Sequence, residues 1–136
     1  MTYVHLPDGN TVPNDKWNNP KFWPYFKDAL GALDGSHIHS SPPAVKRAIF
    51  RNRKGFVSQN CLFGCDFNIF FIYSLTGWEG SATDAQMYQD ARKHDLHIPE
   101  GKYYLADAGF PLGPQLLVTY CNVHYHLAEW GRANIW

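Results

Sequence analysis

Ala29-Leu30-Gly31-Ala32-Leu33-Asp34-Gly35-Ser36-His37-Ile38-His39 is the stretch that decides the fold. Small and apolar residues lead into a single acid, and polar and apolar residues alternate after it, which is the pattern of a β-strand. A second run, Lys102-Tyr103-Tyr104-Leu105-Ala106-Asp107, is short, of β-type composition, and also ends in an acid. Asp34 is followed by Gly35 and Asp107 by Ala108-Gly109. A small residue beside each acid lets backbone or a ligand come close. The two acids stand 73 positions apart.

Working outward, Ser58–Asp66 and Asn68–Gly77 are apolar runs meeting near Phe67-Asn68, which predicts a hairpin of two long strands with Asn68 as the turn residue. Ser81-Ala82-Thr83-Asp84 then precedes apolar residues at near-helical spacing, Ala85, Met87, Tyr88 and Ala91, so a helix is expected to His94 with Ser81 or Thr83 as its cap. A short helix is expected at Gln115–Tyr120 and a last strand at Val123–Trp130. Met1–Pro24, rich in Pro, Asn and Asp, reads as a loop-rich extension with one helical turn near Asn14–Asn18. The aromatic cluster Phe22–Phe26 is expected to pack on the core of the domain that fills residues 25–136. The order strand, hairpin, helix, strand implies an α/β fold, a sheet with helices against its faces.

Composition narrows the function classes. The 136 residues fit one domain, and Phe 9, Tyr 8 and Trp 5 argue against disorder. Lys+Arg 12 balances Asp+Glu 12, whereas a free-standing nucleic-acid binder is basic overall, so any nucleic-acid contact is expected from a local patch. Three cysteines give no disulfide framework, and Cys61 and Cys65 read as core residues of a chain with reduced thiols. No apolar run approaches the roughly 20 residues of a membrane-spanning helix.

Two carboxylates at matching strand ends suit divalent-metal phosphoryl chemistry, because Mg²⁺ takes oxygen ligands and is often held by one or two carboxylates. The alternative for each acid alone is structural, since Asp-Gly is a common turn dipeptide. The spacing by itself leaves both readings open.

The segment Gly31-Ala32-Leu33-Asp34-Gly35-Ser36-His37-Ile38 resembles a signature of the PIF/Harbinger transposase-derived nucleases, which are DDE superfamily endonucleases. The likeness continues through Phe50-Arg51-Asn52-Arg53-Lys54-Gly55, Ser58-Gln59-Asn60, Cys65-Asp66-Phe67, Gly77–Asp84, Tyr103–Leu112 and Tyr125–Trp130, covering roughly residues 20 to 131 in order. This resemblance implies an RNase H-like mixed sheet with flanking helices. The first acid would lie on its central first strand and the second at the end of the neighbouring fourth. It implies that Asp34 and Asp107 are the first two acids of a DDE triad, that they bind Mg²⁺ or Mn²⁺, and that the substrate is DNA. A nuclear location and a separate DNA-binding partner protein go with it. The family's third acid, a Glu, lies on a helix beyond the position matching Trp130, so the core is expected to be incomplete at its C-terminus. Glu129 belongs to the motif before that acid.

Three further groups are candidates. Arg51, Arg53 and Lys54, near Lys46 and Arg47, form the densest basic stretch; they are either a solvated loop or contacts for DNA phosphates, which need no base specificity. His37 matches a family motif and is expected to support the Asp34 site from behind. Asp84, also at a family position, is expected to favour the helix start through the dipole, or to support the loop around the site. His37 and His39 share a strand face, as would His124 and His126, but imidazole metal sites normally need more donors.

Overall fold

The structure is a computed structural model describing residues 4–10 and 14–119. Its elements are α1 (Asn14–Trp17), β1 (Ala29–His39), a 3-10 turn (Ala44–Lys46), β2 (Ser58–Cys65), β3 (Phe71–Glu79), α2 (Asp84–His94), β4 (Tyr103–Ala106) and β5 (Leu116–Val118). The strands form one mixed sheet in the order β3-β2-β1-β4-β5. β1 is central, antiparallel to β2 and parallel to β4, and β5 runs parallel to β4. This is the RNase H-like arrangement that the sequence implied.

Alternation along β1 fixes its two faces. Ala29, Gly31 and Leu33 are buried, while Asp34 is exposed. Successive side chains leave a strand on opposite faces, so Asp34 points away from the face that buries Leu33. That inner face carries the core: Leu33, Leu62, Met87, Leu96, Tyr104 and Leu116 are all nearly inaccessible. α2 covers it with Met87, Tyr88 and Ala91, at the spacing read from the sequence. The Tyr73 hydroxyl donates to Asp95 Oδ1 at 2.6 Å, tying β3 to the end of α2, and burial and that carboxylate both push the phenol pKa up. α2 starts on a complete capping box: Thr83 Oγ1 accepts from the Gln86 amide, and Gln86 Oε1 accepts from the Thr83 amide.

The N-terminal extension is anchored by Lys16. Its Nζ donates to the carbonyls of Lys27 and Ala29, and only 3% of the residue is accessible. In the aromatic cluster, Trp23 packs at a tilt against Trp17 and Phe22 against Phe67, but Tyr25 is largely exposed and does not join the core. Cys61 is buried and Cys65 half-buried. Cys121, His124, His126, Glu129 and the expected strand at Val123–Trp130 lie outside the described residues.

Two local expectations are corrected. Leu116–Val118 is a strand rather than part of a helix, because Tyr104, Leu105 and Ala106 offer it a parallel ladder that buries Leu116. In the hairpin turn the left-handed residue is Ile69, with φ 65, not Asn68. The cause is Asp66: its Oδ1 accepts from the amides of Asn68 and Phe70, which fixes the chain so that position 69 takes the positive φ. A β-branched residue there is disfavoured by about 1 kcal/mol or more relative to Asn, and the Ile69 side chain is exposed and gains little from packing. Ile69→Asn should therefore stabilise the protein by about 1 kcal/mol in urea unfolding; an unchanged or lower midpoint would contradict this account.

Candidate functional site

β1 and β4 set the site. Their parallel ladder pairs Gly31 with Tyr104 and Ala32 with Leu105, and β4 then ends at Ala106. Asp34 and Asp107 each stand two residues beyond the last pair. Two acids distant in sequence thus lie at equivalent places on adjacent strands, one on the central strand and one just past the end of its neighbour. Beyond this point β1 has no partner on the β4 side among the described strands, and a cleft opens.

The cleft has a volume of about 760 Å³. Gly35, His37 and Asn60 line it, together with Asp84, Asp107 and Gly109 and the basic side chains of Arg53 and Lys54. Asp34 does not line it, because its side chain leaves β1 on the opposite face from Gly35. Asp84 fills the space that the missing side chain of Gly35 leaves: a Cβ on Gly35 would overlap its Oδ1. A Cβ on Gly109 would lie 3.0 Å from Asp84 Oδ2 and 3.1 Å from Asp107 Oδ1, so both carboxylates crowd the same small volume. Asp107 Oδ1 also accepts from the Gly109 amide at 2.9 Å, the Asx-type turn that its neighbours suggested. Among the described residues, no three His, Cys, Asp or Glu side chains converge as a ready-made metal cluster.

Asp84 was expected near the helix start and is the first residue of α2, while the capping itself is done by Thr83. Asp84 instead leans into the cleft, where Asn60 Nδ2 donates to its Oδ1 at 3.4 Å. His37 Nδ1 lies 3.0 Å from Ser58 Oγ, which also accepts from Asn52 Nδ2, so the imidazole is braced by β2 and by the basic loop, not by Asp34. His37 and His39 both pack against the Phe56 ring. In the loop, Arg53 and Lys54 line the cleft, whereas Arg51 is turned to the Gly55 carbonyl at 2.8 Å and helps close the loop on itself. Asn60 and Ser58 were not singled out individually from the sequence. Their signal is polarity at inward positions of β2, since Ser58, Asn60 and Leu62 share the buried face.

Burial holds the Asp84 carboxyl above the usual range; the charges of Asp107 and Asp34 push the same way, while the Asn60 hydrogen bond and His37 pull down. A carboxyl with a raised folded pKa favours folding fully below its unfolded value, near 3.8, and loses that contribution as pH rises through its folded value. Stability of the metal-free protein should fall over that window. Asp84→Asn, which cannot ionise, should flatten the fall in denaturation curves taken from pH 3.5 to pH 8. Parallel profiles for the two proteins would show that Asp84 is not the source.

Comparison with known proteins agrees with this architecture. The sequence model described as "DDE superfamily endonuclease" matches residues 33–134. The protein named "Putative nuclease HARBI1" from Rattus norvegicus is 31% identical over 91 residues, 65% of this chain and 26% of that protein. Its Homo sapiens counterpart is 26% identical over 103 residues, 74% of this chain and 28% of that protein. The chain thus spans about a quarter of the length of these relatives. No solved structure matches it. With a family match that begins one residue before Asp34 and runs through Asp107 and beyond, the chain belongs to the DDE superfamily endonucleases.

Proposed function

We propose that this chain forms the core of a divalent-metal-dependent DNA endonuclease, in which Asp34 and Asp107 hold Mg²⁺ or Mn²⁺ and the basic loop receives the DNA backbone. The observation that carries the reading is the β1–β4 ladder, which runs out two residues short of both acids. The cleft holds oxygen donors of the kind a hard cation takes: the Asp84 and Asp107 carboxylates both line it, no cysteine does, and Gly35 and Gly109 let the two carboxylates come close. Such a cation, when bound, activates the attacking water and stabilises the leaving oxygen of a phosphodiester. Arg53 and Lys54 line the same cleft as Asp84 and Asp107, where they would neutralise a phosphate bound there. DNA as substrate is the reading that the endonuclease family supports, and action in the nucleus, with sequence recognition left to a separate DNA-binding protein, belongs to the same proposal.

A second reading, binding of DNA or a partner without cleavage, is favoured by one observation: among the described residues no third acid joins Asp34 and Asp107 in a finished metal cluster. Nicking of supercoiled plasmid with Mn²⁺ separates the two. The nuclease reading predicts nicking by the chain that Asp34→Ala and Asp107→Ala each reduce by at least a hundredfold. Binding without nicking selects the second reading, and neither activity removes both. If Arg53 and Lys54 contact phosphates, the slope of log affinity against log salt should fall by about 1 for each one replaced by Ala, and an unchanged slope would assign the basic loop to solvent.

A further inference from the structure

Ser58 Oγ is the buried junction of a hydrogen-bond chain that ends in the cleft. Ser58 is inaccessible and Asn52 nearly so. The Asn52 amide has one orientation: its Oδ1 accepts from the Lys54 backbone amide at 2.9 Å, which turns Nδ2 toward Ser58 Oγ at 3.1 Å. Ser58 Oγ therefore accepts from Asn52 and still has its own proton to place. Its other partner among the described residues is His37 Nδ1, at 3.0 Å. No solvent reaches the hydroxyl, so that proton goes to Nδ1, which must be the unprotonated nitrogen of the ring. The opposite tautomer would point two N–H groups at one oxygen and leave the hydroxyl proton buried without an acceptor, which buried polar groups avoid.

This settles what the rest of the ring offers. A neutral imidazole that accepts at Nδ1 carries its proton on Nε2. His37 is exposed and lines the cleft, with Asn52, Arg53, Lys54, Asp84 and Asp107. Ser58, which takes the other nitrogen, does not line it. Nε2 has no hydrogen-bond partner among the described residues, and the Asp84 and Asp107 carboxylates bond to Asn60 and Gly109 instead. The Phe56 ring stands edge-on to the imidazole, 6.4 Å between centroids. A ring nitrogen that holds a proton has no lone pair for a metal, so its complement is an acceptor. In a cleft that also carries Arg53 and Lys54, the acceptor that suits all three is a phosphate oxygen.

We propose that His37 is a substrate contact: its Nε2–H donates to a non-bridging oxygen of a DNA phosphate in the cleft, and Ser58 and Asn52 are positioning residues that set the tautomer. This rests on the DNA reading above and changes the role of His37, from support behind Asp34 to a donor facing the substrate. The basic loop then acts twice. Asn52 precedes Arg53 and holds the Lys54 amide, so the segment that supplies the two cations also decides which imidazole nitrogen carries the proton.

Two measurements test it. The first reads the tautomer in the unmodified full chain by ¹⁵N-histidine NMR at pH 8, where an ordinary imidazole is neutral. The His37 signals are assigned by their loss in His37→Gln. Nε2 should be the protonated, pyrrole-type nitrogen and Nδ1 the pyridine-type one, and the reverse overturns the proposal. Ser58→Ala should turn the single tautomer into a mixture; a spectrum that it leaves unchanged overturns the positioning role of Ser58 and Asn52. The second is affinity for a short DNA duplex, by fluorescence anisotropy in EDTA so that no metal takes part. His37→Leu should weaken binding about tenfold, the loss of one hydrogen bond to a charged group. His37→Gln, which keeps an N–H at similar reach, should recover most of it, and Gln binding no better than Leu overturns the donor role. If His37→Leu binds like the unmodified chain while nicking with Mn²⁺ still requires Asp107, the proposal falls and the nuclease reading stands. Duplex binding that depends on His37, without nicking, keeps the proposal and selects binding without cleavage. No duplex binding by the unmodified chain at low salt overturns the proposal, whatever the nicking assay shows.

Discussion

The parallel pairing of β1 with β4 is the constraint on which the rest depends. It is a contact between segments 73 positions apart, so closing it costs chain entropy that only burial can offset. Leu33 and Tyr104 supply that burial on the inner face, with Leu62 and Leu116 on the strands either side. The apolar residues therefore do the positioning, and the acids follow because each is attached to the end of an anchored run. The same pairing stops early, at Ala32 and Leu105, and this leaves the edge of β1 open where the cleft forms.

Around that opening the sequence uses absence of side chains as much as their presence. Gly35 admits the Asp84 carboxylate onto the strand, and Gly109 lets Asp84 and Asp107 approach each other. Gly80, where a Cβ would meet the Phe50 and Ser58 backbones, lets the end of β3 come down beside the basic loop. Burial above all, and then the charges of Asp107 and Asp34, raise the protonation tendency of Asp84. A fold that keeps such a cluster gives up some stability for a hollow lined by acids and by Arg53 and Lys54.

Much of this was legible in the sequence, for identifiable reasons. β1 matches its expected span residue for residue, since alternation and Gly spacing are local signals. α2 was readable from Thr83 and the Met87–Ala91 periodicity. The turn at Ile69 was not, because the preference of Asn68 was overruled by Asp66, which accepts two amides at once. β5 was not, because three residues of Leu and Val are strand or helix according to what they pair with. Of the residues that line the cleft, Asp107, Arg53 and Lys54 stand out in the sequence by motif and charge. The inward turn of Asp84 could not be read there, since it depends on Gly35 being across from the start of α2, a distance that no spacing in the chain encodes.

The start of α2 has a consequence of its own. Thr83 closes the capping box and the next residue, Asp84, reaches into the cleft, so the first helical turn and the hollow share a hinge. Fraying of that turn would withdraw a carboxylate and the Asn60 contact together, and anything that grips the carboxylate would hold the turn shut. Coupling of this kind is reciprocal. The local melting of one helix end and the occupancy of the hollow are then a single equilibrium seen from two sides, and amide exchange at Ala85 and Gln86 would report on both.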